Sequence, residues 1–271
     1  MSTRRIGLVA WHVLKQNIRD RVLYSIGAFA VLLVGASIVI GQMTAGQDLK
    51  IIKDLGLAAI ELAGVLMSVF IGVSLVSHEI ERRSIFNVLS KPISRWEFIV
   101  GKYTGLVLTL VMNVAALAIA LYLMLFWMDA TAAEPVRRSW EAPATDPRLL
   151  ISILLITAEL ALLTAIALFF STFSSSAMLS AVLTAGLFMA GLESGALRQF
   201  SQMVDASAMG RVVSAVGWIV PAFSLFDVKA EVVHGIPIAA ARIWLPIGYA
   251  VVYATVAMTG AVLIFSRREF R

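Results

Sequence analysis

The chain contains no cysteine and little charge. None of its 271 residues is cysteine, and only 14% are Asp, Glu, Lys or Arg. The lack of cysteine excludes disulfides, thiolate metal sites and cysteine nucleophiles. A soluble domain carries about 25% charged residues. The scarcity of charge, together with 60% hydrophobic residues, predicts an all-α polytopic membrane protein.

Several motifs of enzyme chemistry are also missing. The chain has no Gly-x-x-x-x-Gly-Lys-Ser/Thr sequence, the loop that cradles the phosphates of ATP. Its histidines, His12, His78 and His234, are scattered and do not predict a zinc or copper site. The hydroxyls of Ser171–Ser176 have no base nearby in the sequence, so a serine nucleophile is not indicated. The net charge of +5 is not gathered in one patch, so nucleic-acid binding is not expected.

Long apolar stretches dominate what is present. A helix needs about 20 predominantly apolar residues to cross the hydrocarbon core of a membrane. Six stretches meet or approach this length, and they predict six transmembrane helices. They are Val22–Gly41, Leu57–Ser77, Tyr103–Trp127, Leu149–Phe170, Ala177–Leu192 and Ile243–Phe265.

Lysine and arginine are densest on one side of these six spans. They cluster in the N-terminal arm, in the loop after the second span and at the C-terminus. These residues are Arg4, Arg5, Lys15, Arg19 and Arg21, then Arg82, Arg83, Lys91, Arg95 and Lys102, then Arg267, Arg268 and Arg271. Because cytoplasmic segments carry the excess of positive charge, both termini are predicted on the cytoplasmic side. The membrane is predicted to be the plasma membrane, which is the inner membrane of a bacterium.

The N-terminal arm, residues 1–21, has a helical pattern of its own. At 100° per residue, one arc collects the apolar side chains Ile6, Val9, Ala10, Trp11, Val13, Leu14 and Ile18, with Leu8 as the exception. Basic residues fall on the other arc. The pattern predicts an amphipathic helix lying in the membrane interface, either as a simple anchor or as an elbow that braces the first span.

Local signals mark where helices begin and where an outer segment is interrupted. Ser94-Arg-Trp-Glu97 is a capping-box pattern that predicts the start of the third spanning helix. Asp146-Pro147 predicts an N-cap followed by proline at the first helical position of the fourth. In the outer loop 193–242, Val212–Phe226 is apolar but too short to span, which indicates short re-entrant helices.

The polar loop 78–102 contains the segment most suggestive of a partner. Ser84–Ser90 can form a short helix, and Ile85, Val88 and Leu89 would share one of its faces. Charged residues flank this helix, and Lys91-Pro92 ends it. From periodicity alone, the apolar face fits a groove on a partner protein or the lipid interface equally well.

Two carboxylic acids and one amide lie inside predicted spans. Glu159 is near the middle of the fourth span, Glu61 is towards the outer end of the second, and Asn113 is in the third. A charged side chain at the bilayer centre costs about 2.5–3.5 kcal/mol on insertion scales, so Glu159 is expected to face protein or water. The alternatives are a substrate path or conformational relay, and an interhelical hydrogen bond.

The order of these features resembles the permease subunits of ABC-2 type ABC transporters. The resemblance is strongest to the branch that includes the permease of the transporter for nitrous-oxide-reductase copper-site maturation. The stretches that carry it are Glu79-Ile-Glu-Arg-Arg-Ser-Ile, Leu89-Ser-Lys-Pro-Ile-Ser-Arg-Trp-Glu-Phe, Gly101-Lys102, Phe170-Ser-Thr-Phe-Ser-Ser-Ser, Pro221-Ala-Phe-Ser-Leu-Phe-Asp227 and Phe265-Ser-Arg-Arg-Glu-Phe. It covers nearly the whole chain and implies a single transmembrane domain over residues 1–271.

The resemblance implies a coupling helix at roughly Glu81–Leu89, which would fit a cleft of an ATPase subunit, and a second contact at the Ser171–Ser176 turn. The residues expected to couple to the ATPase are Glu79, Glu81, Arg82, Arg83, Ile85, Val88, Leu89, Lys91, Pro92 and Ser174. ATP and Mg would be bound by a dimer of that separate subunit, because this chain has no phosphate loop and is expected to hold no cofactor or metal.

The implied function is that of a permease subunit, most simply in an exporter. The subunit is not expected to be an enzyme by itself. Further expected partners are a second permease copy or a similar chain, a periplasmic or accessory subunit, and membrane lipid. Two other hypotheses remain open from the sequence: a membrane anchor or assembly factor without transport, and a secondary transporter that uses Glu159.

Overall fold

Every regular element in the described part of the chain is a helix. The computed structural model describes residues 2–18, 21–42, 48–81, 94–174, 176–195 and 220–267. The α-helices are α1 (Ser2–Asn17), α2 (Arg21–Gln42), α3 (Asp48–Glu81), α4 (Arg95–Thr131), α5 (Glu134–Ser139), α6 (Leu149–Phe173), α7 (Ala177–Leu192), α8 (Lys229–Val233) and α9 (Ala240–Arg267). A 3-10 helix at Phe223–Phe226 precedes α8.

Each of the six predicted spans falls within a helix. Four described segments are long and apolar enough to cross a membrane: Asp48–Val73, Arg95–Thr131, Leu149–Phe173 and Ala240–Arg267. Two further apolar stretches, Tyr24–Ala36 within α2 and the whole of α7, are shorter. The chain is therefore an integral membrane protein, and the count of six crossings stays a prediction. The α4 helix begins at Arg95, eight residues before the predicted span, where the capping-box pattern predicted its start.

The bundle has two ends with different contents. We call the end where α3 finishes and α4 starts the loop end; the α6–α7 turn and the last residues of α9 also lie there. We call the other end the cap end, because residues 132–148 and 220–239 contact each other over it. At the cap end His234 Nδ1 lies 3.4 Å from Glu141 Oε2, and Lys53 Nζ donates to the Pro143 carbonyl at 2.6 Å.

The centre of the bundle is α6. It packs against α3, α4, α7 and α9, and its leucine-rich sequence is buried nearly all round. A helix that is apolar on every face has no solvent-facing side and is stable only inside a protein or a membrane. Leu155, Leu160 and Leu163 are fully buried here, so the core of this domain lies inside the spanning helices.

Small residues join α3 to α6 along a parallel seam. A β-carbon added to Gly64 would lie 2.1 Å from Leu160, and one added to Gly72 would lie 3.1 Å from Ala167. Between these two points the hydroxyls of Ser68 and Thr164 are 3.4 Å apart. Glycines and hydroxyl residues let two membrane helices approach closely. The two helices are therefore in direct contact over several turns.

The N-terminal helix lies parallel to the first turns of α4. Added β-carbons on Gly101 and Gly105 would lie 2.7 Å from Val9 and from the Ala10 carbonyl oxygen, respectively. One turn further on, Asn17 Nδ2 donates to Thr109 Oγ1 at 3.2 Å. The buried face of α1 is thus Ala10, Val13, Leu14 and Asn17. Trp11, also on the predicted apolar arc, is 65% exposed and lies outside this buried face, because the face is set by the fit to the two glycines. The interfacial position of α1 stays a prediction.

The two predicted helix starts have different outcomes. The α4 helix begins at Arg95 after Ser94, and Glu97 accepts the Ser94 backbone N–H at 3.0 Å, as a capping box requires. At α6 the capping residue is the predicted one, because Asp146 Oδ1 accepts the N–H of Arg148 at 2.9 Å. The regular helix begins at Leu149, two residues after the predicted first helical position, Pro147.

The segment 220–239 is packed into the cap end. Phe223 and Phe226 are each 1% exposed, and the ring of Phe223 lies 5.0 Å from that of Phe188 on α7. The α8 helix then ends in a Schellman motif, in which Gly235 adopts φ 68° and Ile236 N–H donates to the Glu231 carbonyl. The predicted Val212–Phe226 re-entrant segment lies partly outside the described residues. In its described part, Val220, Ala222, Phe223 and Phe226 are buried, whereas Ser224 and Leu225 are exposed.

Candidate functional site

A buried cluster of charged residues lies where α8 meets α3 and α6. Lys229, the first residue of α8, forms an ion pair with Glu61 of α3. Its Nζ is also 3.6 Å from Asp227 Oδ1. Glu159 of α6 is 3% exposed and interacts electrostatically with Lys229, Glu61 and Asp227. The structure thus brings together the two glutamates that the sequence singled out, and it adds a cation between them.

The charges of this cluster are unequally paired. In the described part of the chain, Lys229 makes its ion pairs with Glu61 and Asp227, and no ion pair within 4 Å joins it to Glu159. Burial lowers the pKa of the Lys229 ammonium. The hydrogen bond and charge of Glu61 oppose this effect, as do the charges of Asp227 and Glu159, and the net result is a raised pKa. Lys229 therefore stays protonated at neutral pH.

A second group of charges lies further out at the cap end. Glu141 is paired with Lys50 at 2.6 Å and lies 3.4 Å from His234. The hydrogen bond from Lys50, and then that from His234, lower the pKa of the Glu141 carboxyl. Arg148 donates to the carbonyl of Gly235. These contacts tie the 132–148 loop to the start of α3 and to the end of α8.

At the loop end, a hydrogen bond links the last turns of α3 and α6. Ser171 Oγ donates to the Val73 carbonyl at 3.1 Å, and Ser171 is fully buried. The turn that follows α6 is closed by its own hydroxyls. Ser174 Oγ accepts the N–H of Ser176 at 3.2 Å and donates to its carbonyl at 2.9 Å. The turn is therefore fixed relative to the end of α3.

The start of α4 is attached to the end of α9 and to α1. Arg95 Nη1 donates to the carbonyls of Phe265 and Ser266 at 3.2 and 3.0 Å. The rings of Phe98 and Phe265 are stacked 6.0 Å apart. On the α1 side, Arg5 lies 3.7 Å from the Glu97 carboxylate. Helix-end carbonyls, which lack partners within the helix, are satisfied here by an arginine.

An apolar groove of about 520 Å³ opens between α4 and α9. Trp96, Val100 and Tyr103 line one side, and residues of α9 such as Val251 and Met258 line the other. Both helices are long and apolar enough to span a membrane. An exposed apolar groove at that position is typical of a surface that contacts lipid.

The remaining predicted residues are placed as follows. Glu79 and Glu81 belong to the last turns of α3, and Ser174 is buried at the end of α6. Arg82, Arg83, Ile85, Val88, Leu89, Lys91 and Pro92 lie outside the described residues. Asn113 is apart from the charged cluster, where its amide donates to the Thr109 carbonyl at 2.8 Å within the same helix. The coupling role of these residues stays a prediction.

Sequence reasoning missed Lys229, Asp227 and the contact surfaces made by glycine. Lys229 lies about 170 residues from Glu61 in the chain, and no local pattern connects them. The glycines did leave a signal, since Gly101 and Gly105 have the Gly-x-x-x-Gly spacing that favours close helix packing. Gly64, Ser68 and Gly72 repeat the same four-residue spacing on α3.

Comparison with known proteins agrees with this architecture. A search of curated proteins gave no match. The family model described as "ABC-2 family transporter protein" matches residues 8–270, which is nearly the whole chain. That match includes all six predicted spans, the loop after α3 and the segment that carries Lys229. The chain therefore belongs to the ABC-2 family of transporters and is a membrane permease of an ABC transporter.

Proposed function

We propose that this permease belongs to an exporter powered by a separate ATPase subunit that binds ATP and Mg. The hydrogen bond between Ser171 and Val73 carries the proposal. It links Val73 of α3 to the last turn of α6, and these helices lead into the two segments that the family resemblance assigns to ATPase contact. A movement imposed on either segment would reach both helices, because a packed core transmits displacement.

The input would enter through the loop after α3. Its residues are Glu79, Glu81, Arg82, Arg83, Ile85, Val88, Leu89, Lys91 and Pro92, with Ser174 as the contact in the second turn. An apolar face flanked by charges suits a cleft on a partner protein. The groove between α4 and α9 would contact membrane lipid.

Two copies of the chain, or one copy and a similar chain, would surround the path about a two-fold axis. We propose six spans per copy, both termini in the cytoplasm and the inner membrane of a bacterium as the location. The dense Lys and Arg of α1 and of the loop end support this orientation. Within the family, we place the chain in the branch of the nitrous-oxide-reductase maturation transporter. An accessory periplasmic subunit would be a further partner.

Co-purification tests the ATPase partnership. The chain is purified from its native membrane, and the preparation is examined for a separate ATPase with a phosphate-binding loop. In the double charge reversal Arg82→Glu/Arg83→Glu we expect at least about tenfold weaker recovery of that ATPase, because breaking interfacial charge pairs costs about 2 kcal/mol or more.

Arg137→Glu/Arg138→Glu is the matched control. It reverses the same two charges on the exposed α5 at the cap end, where these arginines contact only Asp129 and Glu134 among the described residues. Recovery of the ATPase should be unchanged. If no ATPase accompanies the wild-type chain and the Arg82/Arg83 variant functions normally, a membrane anchor or a secondary transporter becomes the better explanation.

A further inference from the structure

Lys229 lies at the start of α8, which contacts two spanning helices, α3 and α6. A purely structural ion pair does not need this position. The partner of Lys229, Glu61, is on α3, and Glu159 is on the neighbouring α6. The side chains of Lys229 and Glu61 are 19% and 16% exposed, and Glu159 is 3% exposed. All three are thus largely removed from water. Away from water, an ion pair is strong and an uncompensated charge is costly.

One ammonium lies among three acidic side chains and is paired with two of them, Glu61 and Asp227. Of the nearby cations in the described residues, Arg242 is directed elsewhere: it lies 3.7 Å from Glu231 and donates to the backbone carbonyl of Asp227. Glu159 is therefore a buried acid beside the Lys229 cluster that forms no ion pair with Lys229 in this state. An ammonium is a compact charge with three rotatable donors on a flexible stem. It can exchange partners with a small movement of the helices that carry them.

The same two helices form the seam that reaches the loop end. From the charged cluster the contacts continue through Gly64 with Leu160, then Ser68 with Thr164, to Val73 with Ser171. The seam is made of small residues, and helices packed in this way can slide past each other by shear. Sliding at the loop end would change the distances from Lys229 to Glu61 and to Glu159 in opposite directions.

We propose that Lys229 is a coupling residue that exchanges its ion-pair partner during the transport cycle. It pairs with Glu61 in the state seen here and with Glu159 when nucleotide closes the ATPase. The exchange draws segment 220–239 away from α3 and towards α6, so the cap end changes when α3 and α6 slide. This inference rests on the proposed function, since an ATPase must act at the loop end.

Spin-label distances test the exchange directly. The chain has no cysteine, so pairs of cysteines can be introduced without background labelling. Labels at Leu225 of the cap-end segment, Leu62 of α3 and Leu150 of α6 use side chains that are 36%, 45% and 55% exposed and lie outside the charged cluster. The permease–ATPase complex is measured in lipid nanodiscs without nucleotide and after trapping with ATP and vanadate.

On trapping we expect the 225–62 distance to lengthen and the 225–150 distance to shorten. In the Glu159→Gln background both changes should disappear, because a glutamine amide cannot form an ion pair with the Lys229 ammonium. Lys229→Arg should retain them. The inference is overturned if both distances stay constant on trapping, or if they change equally with and without the Glu159 charge.

The ATPase rate of the same complex is the second measurement. Lys229→Arg should keep the nucleotide-driven rate within about twofold, and Glu159→Gln should lower it about tenfold or more while the complex stays assembled; tenfold corresponds to about 1.4 kcal/mol. If the complex assembles and traps nucleotide but the distances do not change, the inference is rejected and the proposed function still stands. If no ATPase associates with the chain, the proposed function fails first.

Discussion

The two ends of the bundle are held together by different interactions. At the cap end, opposite charges join segments that are far apart in sequence, as in Lys229 with Glu61 and Lys50 with Glu141. At the loop end, close packing predominates: Gly101 and Gly105 admit α1, and Arg95 bonds to the backbone of α9. Ion pairs can exchange partners, whereas the close contact of α1 with Gly101 and Gly105 has one good fit. In the proposed exchange the ion pairs at the cap end change, while α1 and α4 stay packed together at the loop end.

The largest effect should follow from removing the cap-end cation. Lys229→Ala leaves Glu61, whose side chain is only 16% exposed, without its ion-pair partner, so we expect a loss of about 3–5 kcal/mol in the free energy of unfolding. Thermal unfolding in detergent measures it. The control is Lys50→Ala, whose partner Glu141 is 57% exposed, and it should cost at most about 1 kcal/mol. Equal losses in the two variants would remove the distinction between buried and exposed pairs.

The packed end can be tested by enlarging a glycine. Gly105→Leu places side-chain atoms against the Ala10 backbone and Val13, and we expect a loss of about 1–3 kcal/mol from overpacking. Protease access to α1 should increase, because the helix is displaced from α4. Gly186→Leu is the matched control, since nothing lies within 4 Å of an added β-carbon there. If the control variant is as damaging as Gly105→Leu, α1 is not held by close packing.

The loop end also contains buried charged residues, and one of them, Glu97, offers a direct comparison with Lys229. Glu97 is 4% exposed, accepts the Ser94 N–H and lies near Arg5. We expect Glu97→Gln to cost about 1 kcal/mol, since the amide oxygen can still accept the capping hydrogen bond while the charge is lost. The melting temperature measures this loss. Glu134→Gln, in an exposed pair on α5, should leave it unchanged.

The smallest effect is a pH dependence at the outer rim of the cap end. The pKa of Glu141 is lowered in the folded state, so its pairing stabilises the fold above the ordinary value of 4.5. That contribution is lost as the pH falls through the lowered value. In a pH series of melting temperatures, wild type and Glu141→Gln should differ slightly near neutrality and converge in acid. A difference that grows as the pH falls would contradict the assigned shift.

Much of the helical architecture could be predicted from the sequence. The apolar stretches located six helices, and Ser94 with Glu97 marked the start of α4 because a capping box is a local interaction. Asp146 was located as a capping residue, and the regular helix begins at Leu149, two residues after Pro147. Periodicity gave the apolar arc of α1 but not the neighbour that covers part of it, so the burial of Ala10, Val13 and Leu14 against α4 and the exposure of Trp11 could not be predicted.

The candidate site was predicted only in part. Glu61 and Glu159 stood out because a carboxylate inside an apolar stretch is costly, a property that can be read from each position alone. Their proximity depends on the parallel packing of α3 and α6, and the cation between them comes from a segment about 170 residues further along the chain. No periodicity or spacing contains that information.

By itself, the sequence determined that this protein lies in a membrane, that it is helical and that it lacks a phosphate-binding loop. Hydrophobicity, helix capping and missing motifs act over short stretches, so the chain alone is enough for these conclusions. Only the tertiary structure decided which charges meet. Pairing Lys229 with Glu61, and Ser171 with Val73, depends on how distant helices pack, because those contacts are made through space between residues that are far apart along the chain.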